Sequence, residues 1–415
     1  FFKQKTAYEI TYGDWSSDVC SSDLNSDWFN AITGDNNGSV YAAGYTFNPS
    51  HDKDFFLVKL SVAGNVVWSR QINGADNGND KAQFVALDAA GNIYLCGESD
   101  GGSINQSDIL TAKYDVNGNL LWTATYNRPL YNQDDIPLGM SVDSAGNVFI
   151  TGSSDGDSTI AGLNDDILTI KYSTNGSLEW ANIYNGIGNA TDRGLDVVCD
   201  NTGGCIITGR TFTGTNDNAI TIKYGFSGAT VFTNSFDRGL GLNDRGESIT
   251  TDNAGNIYIA GRSASNKDDD FLTMKYNSLG VLQFAVYYDN IDNDRAKLIS
   301  LDLAGNIFVS GQSDQQNGGN TNYDYCIVKY SNNGVFRWAR ALGGAVNNED
   351  DPHAIATDVS GAVYVTGKSD QNALANITSN DFLTAKYDST GTLIWSVTST
   401  GTARDRKSTR LNSSH

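Results

Sequence analysis

DRGESITTDNAGNIYIAGRS at Asp244–Ser263 and DFLTMKYNSLGVLQFAVYYD at Asp270–Asp289 decide the fold. Together they hold four runs rich in Val, Ile, Tyr, Phe and Thr, residue types that suit a pleated strand. Run A is ESITT, run B IYIAG, run C FLTMKY and run D VLQFAVYY. The DNAG turn joins A to B and the NSLG turn joins C to D, while a longer variable stretch joins B to C. Each short turn ends on glycine, which accepts the positive φ of a type I turn closed by a G1 bulge. No stretch sustains a helical period over three turns.

The same unit recurs along the chain. Its A–B turn glycine stands at Gly38, Gly91, Gly146, Gly203, Gly255, Gly305 and Gly361, a spacing of 50 to 57 residues. That is the period of a propeller blade or a solenoid coil. A lone four-stranded sheet of this size cannot bury both faces. Radial stacking covers each sheet with the next, and closing the ring leaves only short edges. A solenoid would need capping units, and neither end of the array departs from the pattern. We therefore expect an all-β chain: a seven-bladed β-propeller with four antiparallel strands per blade.

The A–B core, as in DSAGNVFITGSS at Asp143–Ser154, and the C–D core, as in DILTAKYDVNGNLLW at Asp108–Trp122, resemble the bacterial seven-bladed propeller repeat known as the SBBP repeat. The resemblance spans nearly all of residues 25–404. The pattern departs at Asn218, which replaces the Asp opening run C, and at Phe232 and Phe284, which stand where other units have Trp in run D. The resemblance implies a secreted or cell-surface bacterial protein, often modular, and implies no enzyme activity.

The two ends read differently. DRKSTRLNSSH at Asp405–His415 resembles a translated sequencing adapter, DWSSDVCSSDL at Asp14–Leu24 the same adapter on the opposite strand, and FFKQKTAYEI at Phe1–Ile10 the primer before it. On this reading residues 1–24 and 405–415 are non-native tails flanking a gene fragment at 25–404. Their charges cancel, so the formal charge of −20 belongs to the propeller segment. Such a surface repels phosphate backbones, so no nucleic-acid partner is expected. No apolar run is long enough to span a bilayer, so no membrane insertion is expected. Besides Cys20 the chain holds Cys96, Cys199, Cys205 and Cys326. Only Cys199 and Cys205 are close, flanking the turn Asp200–Gly204, and we read them as small buried strand residues that could also bond across a hairpin.

Four positions repeat in all units. An Asp opens run A (Asp27, Asp80, Asp135, Asp192, Asp244, Asp294, Asp350), and a Ser or Thr follows run B as G-x-[ST] (Thr46, Ser99, Ser154, Thr211, Ser263, Ser313, Ser369). A Lys closes run C (Lys59, Lys113, Lys171, Lys223, Lys275, Lys329, Lys386), and an aromatic sits in run D (Trp68, Trp122, Trp180, Phe232, Phe284, Trp338, Trp395). Asp, Ser and Lys could form a proton-transfer set. One active site must break seven-fold symmetry, however, whereas a folding device can repeat. We read these polar residues as satisfying one another's hydrogen bonds, and the aromatics as packing between blades.

Function is then expected where units differ. The B–C and D–A connections vary and emerge on one face, so a ligand would sit there, at the mouth of the central channel. Two series should line it. One is the middle residue of G-x-[ST]: Tyr45, Glu98, Ser153, Arg210, Arg262, Gln312, Lys368. The other follows the run-A Asp: Trp28, Lys81, Ile136, Arg193, Arg245, Arg295, Asp351. Arg193, Arg210, Arg245, Arg262 and Arg295 cluster in units four to six, which suggests an off-centre site for carboxylates. Trp28 and Tyr45 would add a stacking surface. Against this stands a plainer reading, in which each Arg pairs with a neighbouring blade's Asp and only braces the ring.

No cofactor is expected. Calcium would be sought at Asp268, Asp269 and Asp270 or at Asp289, Asp292 and Asp294, but neither loop matches an EF-hand and we read both as solvated acidic loops. His51 and His353 lie in different units without an adjacent nucleophile, and HExxH, GxSxG, P-loop and CxxC motifs are absent. The expectation is a non-catalytic binding or display module for a saccharide or protein, monomeric within a longer chain. Two alternatives stay open: a glycan hydrolase or lyase using carboxylates such as Glu98 or Asp351, and a structural repeat spacer.

Overall fold

The structure is a computed structural model that describes residues 28–48, 52–74, 78–100, 106–129, 133–156, 164–187, 190–239, 241–265, 268–290, 292–314, 323–343, 350–370, 380–399 and 410–411. Asp27, His51, Cys20 and most of the two tails lie outside the described residues. The fold is all-β: seven blades of four antiparallel strands, arranged as a β-propeller, with strand order A-B-C-D in each sheet. Blades 1 to 3, at 28–72, 80–126 and 135–184, belong to one compact unit but for the last residue, Tyr184; blades 4 to 7, at 193–236, 244–288, 294–342 and 351–399, belong to a second. From the second tail, Arg410 and Leu411 lie parallel to Ala31 and Ile32, on the A edge of blade 1.

The decisive stretch folds as it reads. In blade 5, strands Asp244–Thr251, Ile257–Ala264, Asp269–Tyr276 and Leu282–Tyr288 pair in sequence order. Its A–B turn closes with Gly255 N–H donating to Asp252 O at 2.9 Å, and Gly255 has φ 76°. Strands B and C are buried along most of their length, because the next sheet covers them. In the first unit, Tyr41, Phe55 and Leu57 of blade 1 pack on Val85, Leu95 and Tyr114 of blade 2. In the second, Ile206 of blade 4 packs on Ile249, Ile259 and Met274 of blade 5. Strand D forms the opposite edge of each sheet and begins with exposed apolar residues, among them Val66 and Val67, Leu120 and Leu121, Leu393 and Ile394.

Strand A carries one extra residue in every blade. The register slips after its second or third position, leaving Asn30, Gln83, Leu138, Leu195, Glu247, Lys297 and His353 without a partner on strand B. This β-bulge bends the strand and drives its backbone toward strand B. A Cβ on Gly261 would collide with the carbonyl oxygen of Arg245, so the glycine of G-x-[ST] is required by close approach rather than by a turn.

The repeated side chains divide into two devices at opposite ends of the blade. At the end bearing the B–C and D–A connections, the run-A Asp faces the Ser that follows run B, as in Asp244↔Ser263 and Asp294↔Ser313. Its Oδ2 accepts a backbone N–H of the preceding connection: Arg128 to Asp135 at 2.6 Å, Gly186 to Asp192 at 2.6 Å, Asn290 to Asp294 at 2.7 Å. Burial pushes Asp135 up to about 6 and Asp294 up to about 7, with the Ser hydroxyl pulling the other way.

The Lys does not join this pair, contrary to the mutual set expected from sequence. It ends strand C, so it sits at the far end, where in blades 1, 2, 5 and 6 it reaches the next blade's C–D turn and in blades 4 and 7 the A–B turn Asp of its own blade, Asp200 or Asp358. Lys113 Nζ donates to Thr174 O at 3.1 Å, Lys275 Nζ to Asn332 O at 3.0 Å and Lys329 Nζ to Ser389 O at 2.8 Å. Each ammonium also lies over a strand-B ring, as Lys113 does over Tyr94 at 4.8 Å. The run-D aromatic goes to the same neighbour, packing on its C–D turn glycine: Trp68 on Gly118, Trp122 on Gly176, Phe232 on Gly280, Phe284 on Gly334, Trp338 on Gly391. The aromatics thus bridge blades as expected.

Candidate functional site

The two variable series meet residue by residue. Strands A and B pair Trp28 with Tyr45, Lys81 with Glu98 and Ile136 with Ser153 in the first unit. In the second they pair Arg193 with Arg210, Arg245 with Arg262, Arg295 with Gln312 and Asp351 with Lys368. Directly opposed residues of an antiparallel pair share a face. Each blade therefore presents a matched couple beside the varied connections, and the bulge adds a third residue. Sequence reading missed this third series. Its signal was present: the third residue after the run-A Asp varies in chemistry from unit to unit, behind a small residue or proline in units two to seven.

Two of these couples set like charges face to face, which costs energy unless a counter-charge intervenes. Strand C supplies it. Asp217 Oδ2 accepts from Arg210 Nη1 at 2.7 Å and lies 3.1 Å from Arg245 Nη2 of the next blade. Asp269 Oδ2 repeats the arrangement, 3.1 Å from Arg262 Nη1 and 3.1 Å from Arg295 Nε of the blade beyond. Glu247, the bulge residue of blade 5, stands 3.8 Å from Arg262. The bracing expected from the plainer reading is therefore real for Arg245 and Arg295. It is not balanced, since four guanidiniums share three carboxylates. Arg245 Nε is buried with no hydrogen-bond partner, and desolvation together with Arg262 and Arg210 lowers its pKa.

A cleft of about 280 Å³ adjoins this ladder, lined by Thr215, Asn216, Asn243, Ser265, Asp268 and Asn293, with Asp269 on its wall. Amides stitch it together across blades. Asn243 Oδ1 accepts from Asp217 N–H at 2.9 Å and Asn293 Oδ1 from Asp269 N–H at 3.3 Å. The residue before the run-A Asp thereby ties each connection to the preceding blade's strand C.

The other expected residues are held locally. Trp28 and Tyr45 stack on each other at 6.4 Å, and Lys53 Nζ lies over Tyr45 at 4.8 Å. Glu98 accepts from Gln83 Nε2 at 2.6 Å and lies 3.9 Å from Lys81. Asp351 Oδ1 takes Lys297 Nζ at 2.6 Å and its Oδ2 lies 3.7 Å from His353 Nε2. His353 is thus a half-buried strand residue beside a carboxylate. Lys368 is half-buried opposite Asp351.

Of the two acidic loops, carboxylate oxygens of Asp268, Asp270 and Asp289 come within 4.8 Å of one another. A divalent cation would find three ligands there. Arg238 already stands against Asp270 Oδ2, however, and Asp268 is turned into a local loop by Ser265, whose hydroxyl donates to Asp268 Oδ1 at 2.9 Å. Arg128 makes the same contact to Asp166 in blade 3 at 2.8 Å, so a guanidinium on the strand-C Asp is a recurring brace.

A model of the β-propeller repeat family SBBP matches residues 67–105, 131–158 and 239–266. No curated protein matches the chain. Among solved structures, Sqt1 from Chaetomium thermophilum is similar with a TM-score of 0.53 at 10% identity, covering 91% of this chain and 87% of that one. A polysaccharide lyase described as an ulvan lyase is similar at 0.47 and 10%, covering 90% and 94%. A Bacteroides caccae protein of unknown function is similar at 0.40 and 10%, covering 87% and 93%. At such identity the likeness speaks to fold and not to activity.

Proposed function

Because the chain is a β-propeller carrying the SBBP repeat, we propose that it is a non-catalytic binding module whose ligand, an acidic saccharide or the acidic side chains of a protein, docks on the guanidinium ladder of blades 4 to 6. The observation that supports this is the surplus of positive charge on a chain of net charge −20: Arg210, Arg245, Arg262 and Arg295 share Asp217, Asp269 and Glu247. Like-charged guanidiniums held by a rigid sheet gain from each added carboxylate, and the arginine fork favours planar oxyanions. The neighbouring amide- and hydroxyl-lined cleft supplies partners for sugar hydroxyls. We place the module outside the cell or on its surface, as the repeat implies.

The test is binding to a panel of neutral and uronate-bearing oligosaccharides and an oligoglutamate peptide, before and after Arg245→Ala with Arg262→Ala. The double variant is expected to lose at least about ten-fold in affinity for the acidic members, the scale of one charge-assisted contact. Unchanged binding by a variant that still melts cooperatively would refute the site.

A further inference from the structure

Function sits where repeats differ, and one difference lies away from the ladder. The last residue of strand A faces the first of strand B in every blade. These couples are Gly34↔Val40, Leu87↔Ile93, Val142↔Val148, Thr251↔Ile257, Leu301↔Ile307 and Thr357↔Val363. Blade 4 alone has Cys199↔Cys205 there. We propose that these two thiols form a cross-strand disulfide by exchange with a low-molecular-weight disulfide.

The turn fixes the geometry. Asp200 N–H donates to Gly204 O at 2.9 Å, and Asp200 Oδ1 accepts from Thr202 N–H and Gly204 N–H, both at 2.8 Å. Asp200 and Gly204 are thus the hydrogen-bonded couple that closes the hairpin, which makes Cys199 and Cys205 the adjacent non-hydrogen-bonded couple. Cα atoms of such a couple lie about 4.5 Å apart with side chains on the same face, inside the separation a disulfide spans. Neither cysteine is disulfide-bonded in this structure. Cys205 is fully buried and Cys199 is half-buried, so Cys199 is the one an oxidant reaches.

The exchange has two steps. Cys199 thiolate attacks one sulfur of the small disulfide, forming a mixed disulfide and expelling one small thiolate. Cys205 thiolate then attacks Cys199 Sγ and expels the second. Two protein thiols are oxidised, one small disulfide is reduced to two thiols, and the two protons pass to the departing thiolates. Cys96 and Cys326 are internal controls. Both are buried in the core, where burial pushes the Cys96 thiol up to about 12 and Cys326 higher, and neither faces a cysteine.

Trypsin releases both cysteines in one peptide, Gly194–Arg210. The full chain is incubated with oxidised glutathione, denatured, blocked with a maleimide, digested and weighed. The expected result is a peptide about 2 Da lighter than its dithiol form, carrying no maleimide and restored by dithiothreitol. In Cys205→Ser the same treatment should leave glutathione on Cys199. A wild-type peptide bearing two maleimides, one bearing glutathione beside a blocked Cys205, or a link to Cys20 would each overturn the proposal.

Discussion

Replacing Gly176 by alanine asks whether the blades of the first unit are held together at the seat between a strand-D aromatic and the next blade's turn. Gly64 serves as its control. Both glycines close a C–D turn, and both have φ 83°. Alanine at either position carries the same left-handed strain, about 1–2 kcal/mol, offset by about 0.4–1 kcal/mol from the stiffer unfolded chain. They differ in what the new methyl meets. At Gly64 nothing lies within 4 Å, whereas at Gly176 a Cβ would stand 2.7 Å from Trp122 Cδ2 and 2.8 Å from Cγ. Carbon atoms in contact need about 3.5–4 Å, so the indole must retreat by about 1 Å. That strains the hydrogen bond from Trp122 Nε1 to Thr174 O, now 3.1 Å. Overpacking of this kind costs about 1–3 kcal/mol. Gly64→Ala should therefore destabilise by about 1 kcal/mol or less and Gly176→Ala by about 2–4 kcal/mol, measured by urea unfolding with circular dichroism and indole fluorescence. Equal losses in the two variants would refute the seat as a source of stability.

Two further outcomes follow from the electrostatics. Asp294 is held near 7 by burial, above its unfolded value, so the native state keeps a proton that the unfolded chain gives up. Its contribution is complete below the unfolded pKa and disappears as pH rises through about 7. Asp294→Asn, which keeps the shape, should flatten the fall in stability between about pH 4 and 7, by on the order of 1 kcal/mol per unit; an unchanged slope in urea titrations across that range would count against a buried proton. At Asp268, Asp270 and Asp289, Arg238 already opposes the carboxylates. Calcium and chelator should give midpoints within about 1 °C of each other, and a calcium-dependent rise of several degrees would make the cluster a metal site.

The blades were legible because each is a local pattern: alternating β-formers, a glycine where φ turns positive, and a period that keeps them in step. The placement of Arg245 beside Arg262 was legible for the same reason, since hairpin length sets which residues face each other. What the pattern hid were interactions that jump a blade. Lys113 looked like a partner for the Asp and Ser of its own repeat, yet it ends a strand whose far tip touches the next sheet. Asn218 drew notice as a lost Asp, while the carboxylate that Arg210 and Arg245 use is the residue before it, Asp217. The bulge was hidden too: one extra residue in strand A leaves periodicity nearly intact, but it re-aims Glu247 toward Arg262 and Lys297 toward Asp351 of the next blade.

Strand D has its own consequence. Among the described residues each sheet ends in a strand with one unpaired edge, whose opening residues, such as Leu120 and Leu121, are greasy and open to solvent. An edge of this kind is a template for adhesion between molecules. A net charge of −20 opposes such contact, because copies of the chain repel one another. Acid near the pI of about 4.4, or concentrated salt, weakens that repulsion and should therefore favour contact between such edges.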